Sequence, residues 1–131
     1  MKVVNNVSLN TTCFKIKLSG IGEFAKNKGS IVYADAKRNE KLDNLYDLLI
    51  SELRTNGYKI ENDNYKPHIT LAREVQFYPQ FNIQNITYEE FDVEITKLTL
   101  FCSIRVNGIL TYIPLLDADF KKLFIIKKTL V

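Results

Sequence analysis

Tyr65-Lys66-Pro67-His68-Ile69-Thr70-Leu71-Ala72-Arg73 decides how the rest of the chain is read. It contains the only histidine among 131 residues. Pro67 fixes its own φ and biases Lys66 toward extended backbone. Ile69, Thr70 and Leu71 favour a strand. Side chains alternate along a strand, so His68 and Thr70 are expected on one face, Ile69 and Leu71 on the other. The apolar pair then suits a core. The imidazole and the hydroxyl stand side by side on the opposite face. One group moves a proton near neutral pH; the other donates a hydrogen bond to an anionic oxygen. The same pattern also suits a plain surface or core histidine, and spacing alone does not separate the two.

Working outward, the length suits one domain over 1–131, long enough for a modest core. Apolar residues make up 46% and charged residues 25%, as in ordinary globular proteins. There is no apolar run long enough to span a membrane and no signal-peptide pattern at the start, so a cytoplasmic protein without a membrane partner is expected. Cys13 and Cys102 stand far apart and read as two buried thiols of a reducing compartment rather than a disulfide or metal site. A single histidine argues against a histidine-rich zinc centre, so no metal and no cofactor are expected. Net charge is +3. Residues 1–41 hold eight basic and three acidic side chains, 42–100 five and ten, and 101–131 five and two. Lys15, Lys17, Lys26, Lys28, Lys37 and Arg38 are candidates for a phosphate-facing surface, set against a merely solvated face.

Residues 1–12 read as a weakly ordered start with a short strand at Lys2–Val4. Phe14–Leu18 alternates as a half-buried strand, Ser19–Gly29 is loop-like, and Ser30–Ala36 returns as the second arm of a hairpin. The best helix runs from about Glu40 to Asn56. Leu42, Leu45, Tyr46, Leu49 and Leu53 form its apolar stripe, Asn39 its N-cap and Gly57 its C-terminal stop. Glu61–Asn64 is a polar turn. Residues 76–90 form a loop with Phe77, Tyr78, Phe81 and Tyr88, suited to packing or to base stacking. Phe91–Ile95 alternates, and Leu98–Ile104, Asn107-Gly108 and Ile109–Leu115 form a second hairpin. Asp119–Lys128 reads as a short helix or a strand. The expected class is α+β, an antiparallel sheet with one principal helix.

Pro-His-Ile-Thr-Leu-Ala-Arg resembles the HxT signature of the 2H phosphoesterases, most closely the second signature of the LigT-like RNA 2′,3′-cyclic phosphodiesterases, also called 2′-5′ RNA ligases. FKIKLSGIGEF is similar to that family's strand and Gly-x-Phe loop. SIVYADAK, the leucine-striped helix and ITKLTLFCSIRVNGILTYIPL keep its order. The resemblance covers about 14–114 and is to the carboxyl-terminal half of a two-lobed α+β fold whose lobes each give one HxT to a cleft. It implies a catalytic role for His68 as general acid or base, with Thr70 as its phosphate-binding partner. It assigns substrate binding to Arg73 and Tyr65. Strict alternation puts Arg73 on the face of Ile69 and Leu71, so reaching the cleft requires a strand end, twist or bulge near Ala72.

The implied reaction opens a 2′,3′-cyclic phosphate at an RNA end, or runs in reverse as a 2′-5′ ligation. It needs one group to take a proton from water and another to protonate the leaving ribose oxygen, with hydroxyls and an arginine on the phosphoryl oxygens. One histidine is half of that apparatus. The expected partners are RNA or a nucleoside cyclic phosphate, and either the absent amino-terminal half or a second copy in a homodimer. The alternative is a non-catalytic RNA- or nucleotide-binding module, or an inactive remnant.

Overall fold

The computed structural model describes residues 2–61 and 65–122. In chain order the elements are α1 (Lys2–Leu9), β1 (Phe14–Phe24), β2 (Ser30–Ala36), α2 (Glu40–Thr55), β3 (His68–Val75), a 3-10 turn (Ile83–Asn85), β4 (Phe91–Ile95), β5 (Lys97–Val106) and β6 (Ile109–Asp119). The class is α+β as expected, with α2 the principal helix and the β1–β2, β2–β3 and β5–β6 pairs antiparallel. The chain divides into two compact units: Met1–Phe14 with Lys41–Ile60 and Glu94–Val131, and Lys15–Glu40 with Glu61–Val93.

In the first unit the amino-terminal segment is a helix, not the weakly ordered start or Lys2–Val4 strand that its polar composition suggests. Val3, Val4 and Val7 are buried together on one side of α1. That tertiary packing, against β5 and β6 of the same unit, outweighs the modest helix propensity of β-branched residues. The helix end is tied off locally: Thr11 Oγ1 donates to the Val7 carbonyl at 2.7 Å and Asn10 Nδ2 to the Asn6 carbonyl at 2.8 Å. Helix α2 lies where the leucine stripe places it. Leu45 is buried and Leu42, Tyr46, Leu49 and Leu53 are half-buried. Gly57 (φ 88) closes it, with its N–H on the Arg54 carbonyl and the Tyr58 N–H on the Leu53 carbonyl, each 3.0 Å.

Strands β5 and β6 form the expected second hairpin about Asn107-Gly108, and both arms run longer than the alternation indicates. The base of the hairpin is packed: Ala118 and Phe120 are buried, and Phe120 stacks on Phe14 at 6.4 Å. Backbone bonds from Cys13 to Lys121 and from Phe120 to Thr96 sew this end together. Beyond it, Phe101, Ile104, Val106, Ile109, Tyr112, Ile113 and Leu115 are all exposed on a sheet that has two strands among the described residues. Lys122 is the last described residue, so the reading of Asp119–Lys128 as helix or strand lies mostly outside the described residues, as does most of the Glu61–Asn64 turn.

The second unit is a four-stranded sheet in the order β3-β2-β1-β4. Here β1 corrects the sequence reading. Ser19–Phe24, taken as loop, continues the strand, and the loop before β2 shrinks to 25–29. The register moves from Leu18↔Ala36 to Ile21↔Ala34, so β1 inserts one extra residue at Ser19-Gly20. Gly20 takes φ 84 there, a left-handed backbone open to glycine without strain. Ile16, Leu18, Val32, Ala34 and Ala36 are buried on one face of the β1–β2 pair.

Candidate functional site

His68 opens β3, as expected, and β3 is an edge strand of this sheet among the described residues. The register pairs Asp35 with His68, Ala34 with Ile69 and Tyr33 with Thr70. Directly opposed residues share a face, so Tyr33, Asp35, His68 and Thr70 lie on one side. Gly22, opposite Tyr33, and Phe24 two residues on join them. The register then steps from Tyr33↔Thr70 to Val32↔Ala72. Leu71 is the extra residue, the alternation resets, and Arg73 returns by register to the face of His68. The bulge that the sequence reading requires near Ala72 is therefore present. Glu74 (φ 54) marks a second irregularity just beyond.

Ile69 and Leu71 do not enter a core, contrary to the alternation argument. They are 44% and 57% exposed. The buried face is centred on β1 and β2, Ile69 projects from the edge, and the bulge takes Leu71 out of the ladder. Tyr65 is exposed, three residues ahead of His68.

The imidazole is held on three sides. Phe24 meets it edge-on at 5.1 Å, Tyr33 lies tilted at 5.2 Å, and Phe24 stacks on Tyr33 at 4.4 Å. His68 Nδ1 is 2.6 Å from the Lys66 carbonyl oxygen. A carbonyl only accepts, so Nδ1 carries the hydrogen. The neutral ring then offers its lone pair at Nε2, and the protonated ring offers Nε2–H. Thr70, half-buried, stands two positions along the same face, about 7 Å away by strand rise. The Lys66 ammonium is 3.5 Å from both Asp35 carboxylate oxygens and 5.7 Å from the Tyr33 ring centroid.

Sequence reasoning missed Phe24, Tyr33, Gly22, Asp35 and Lys66. Gly22 matters sterically: a β-carbon there would overlap the Tyr33 ring, with Cε2 at 2.6 Å. The Gly-x-Phe spacing and the alternation of SIVYADA place these residues on faces, but only the register brings the faces together. Two of the candidate basic residues are held in ion pairs. Lys17 pairs with Asp92 at 3.3 Å and Lys37 with Glu90 at 2.9 Å. The Ser19 hydroxyl also donates to Glu90, and this bond, ahead of Lys37, holds the Glu90 carboxyl below the usual range. Burial pushes the Tyr88 phenol up, with Asp35 and Glu90 adding to it. Phe77 and Phe81 stack on each other at 5.4 Å, while Tyr78 is 86% exposed.

Residues 1–111 match the AKAP7 2'5' RNA ligase-like domain. The chain belongs to that family. The fold agrees with this assignment. E. coli LigT complexed with 3'-AMP is 20% identical, superposes with a TM-score of 0.65 and is matched over 91% of this chain and 67% of that one. TT0787 of Thermus thermophilus is 18% identical with a TM-score of 0.72, over 92% of this chain and 68% of that one. E. coli LigT complexed with ATP is 21% identical with a TM-score of 0.59, over 92% and 64%. The 2'5' RNA ligase-like chain thus spans about two thirds of these structures. No curated protein sequence matches it significantly. Among the described residues no helix is long and apolar enough to cross a membrane.

Proposed function

We propose that this 2'5' RNA ligase-like chain supplies one histidine–threonine half-site of a phosphoesterase acting on 2′,3′-cyclic phosphate ends of RNA. The observation that carries the reading is the 2.6 Å contact of His68 Nδ1 with the Lys66 carbonyl. It fixes one tautomer and leaves Nε2 as the nitrogen that can take or give a proton, on a residue that shares a face with Thr70. Solved complexes of E. coli LigT with 3'-AMP, NADP+ and ATP support a nucleotide phosphate as the ligand class.

In hydrolysis, water attacks phosphorus and loses a proton. The bond to one ribose oxygen breaks, and that oxygen gains a proton. His68 Nε2 performs one of these transfers, as base when neutral or as acid when protonated. The Thr70 hydroxyl donates to a non-bridging phosphoryl oxygen, and Arg73 adds positive charge on the same face. Tyr65 flanks the entry to the strand as a substrate contact. A second imidazole, on the other side of phosphorus, comes from an HxT-bearing partner or from a second copy. The chain's single histidine also suits a binding-only module, in which the same face holds a phosphate without turning it over.

The test is hydrolysis of a nucleoside 2′,3′-cyclic phosphate by the chain alone and with an HxT-bearing amino-terminal half added. The lone chain should be nearly inactive, since one missing acid or base removes about 10²–10⁴ in rate. The complemented chain should regain a similar factor, and His68→Ala should abolish the gain. Activity surviving His68→Ala removes His68 from the mechanism. Phosphate binding at His68 and Thr70 without any complemented turnover favours the binding module.

A further inference from the structure

Gly22 and Phe24 join the His68 face only because β1 changes parity at Ser19-Gly20. Side chains alternate with a period of two, so one inserted residue exchanges every later side chain between faces. Without the insertion, Gly22 and Phe24 would leave the face of Tyr33 and His68, and Ile21 would take the place opposite Tyr33. A strand bulge needs partners for the groups it takes out of the ladder. One such partner, and a second anchor on the side chain of the bulge, come from one short segment. The Tyr88 hydroxyl donates to the Gly20 carbonyl at 2.8 Å, and the Ser19 hydroxyl donates to Glu90 Oε1 at 2.6 Å. Glu90 is itself held by Lys37 at 2.9 Å, and Asp92 by Lys17 at 3.3 Å. Tyr88 also meets Phe91, at the start of β4, at 6.1 Å. The segment 88–92 therefore grips both residues of the bulge and both flanking lysines.

We infer that Tyr88 and Glu90 are positioning residues for His68, acting as a clasp on the Ser19-Gly20 bulge that keeps Gly22 under Tyr33 and Phe24 against the imidazole. This rests on the phosphoesterase reading for its purpose, not for its geometry. The route of action runs through described contacts: clasp to bulge, bulge to Gly22 and Phe24, Phe24 and Tyr33 to the ring. None of the clasp residues touches the reacting atoms in this scheme.

The experiment is NMR of the chain with ¹⁵N-labelled histidine, which reads His68 directly because it is the only histidine. The wild-type ring should give the Nδ1–H tautomer, with ring protons shifted by Phe24 and Tyr33. Tyr88→Phe with Ser19→Ala should release the bulge, so that the second tautomer appears and the ring-current shifts shrink. Ser19→Ala alone removes one exposed hydroxyl and serves if the double variant does not fold. It should move the spectrum in the same direction by less. Thr99→Val, which removes a comparable hydroxyl-to-carboxylate bond to Asp117 in the other unit, should leave the His68 signals in place. Unchanged tautomer and ring shifts in a folded Tyr88→Phe or Ser19→Ala variant overturn the clasp. An inorganic phosphate titration of the same samples keeps the two ideas apart. Tautomer release with no phosphate response anywhere sinks the catalytic reading and leaves the clasp standing.

Discussion

Gly22→Ala is the sharpest perturbation of the site that leaves every functional group in place. Gly22 lies in ordinary extended backbone, since its φ falls outside the left-handed region that marks Gly20, Gly29, Gly57 and Gly108. Alanine therefore brings no backbone strain, and by restricting the unfolded chain it would contribute about 0.4–1 kcal/mol of stability in open space. Space is what is missing. The new β-carbon would overlap the Tyr33 ring, and Tyr33 is only 5% exposed, with Phe24 stacked on it at 4.4 Å. Overpacking of this kind costs about 1–3 kcal/mol. Net destabilisation should be up to about 2.5 kcal/mol, a fall in melting temperature of up to roughly 10 °C for a chain of this size. Because the ring must move, His68 moves too. Thermal melts and His68 NMR shifts on Gly22→Ala, Tyr33→Ala and the double variant form a cycle. In the Tyr33→Ala background the alanine should be neutral or slightly stabilising. A Gly22→Ala protein as stable as wild type, with unmoved His68 signals, would refute the packing argument.

Other outcomes follow from the same contacts. Gly20→Ala should cost about 1–2 kcal/mol through its left-handed backbone, and unlike Gly22→Ala the loss should persist when Tyr33 is alanine; denaturant midpoints decide this. Thr70→Ala should weaken binding of inorganic phosphate and leave the melting temperature nearly unchanged, since Thr70 lies on an exposed edge strand; NMR titration reads the affinity. The carboxyls of Glu90 and Asp117 are both held below their usual range, by the hydroxyls of Ser19 and Thr99 first and by Lys37 and Lys97 next. Their stabilisation is present above the unfolded carboxylate range and is lost as pH falls below about 4.5 toward their lower folded values. Glu90→Gln with Asp117→Asn should therefore flatten the acid limb of the stability curve and leave the neutral limb unaltered in slope. Val7→Ala, at a fully buried position of α1, should cost about 2 kcal/mol, whereas Leu9→Ala, 62% exposed, should be near neutral.

Local signals carried much of this fold. The leucine stripe of 42–53, closed by Gly57, gave α2 almost to the residue, because helix period and capping are properties of neighbouring residues. Asn107-Gly108 gave the second hairpin for the same reason. Alternation around Pro67 put His68 at the start of a strand, with Thr70 beside it. What failed depended on partners distant in sequence. Val3, Val4 and Val7 look like strand formers until packing against the late hairpin makes them a helix face. Ser19-Gly-Ile-Gly looks like a loop because glycines mark both turns and bulges, and the choice is made by whether a ladder continues on the far side. Ile69 and Leu71 alternate correctly, yet an edge position and a bulge leave them exposed. Tyr33 and Asp35 became part of the site through register, which no single stretch encodes.

The distal half of the β5–β6 hairpin bears on how the protein will behave as a reagent. A two-stranded sheet is marginal in water, and this one carries a row of exposed apolar side chains with, among the described residues, an open hydrogen-bonding edge on each strand. A second copy or a separate segment that covered it would bind the folded chain and not the unfolded one. Apparent stability then becomes a function of concentration: a cover present at one hundred times its dissociation constant adds about 2.7 kcal/mol. With such a partner present, the melting temperature would be a titration curve in disguise, rising with the partner's concentration.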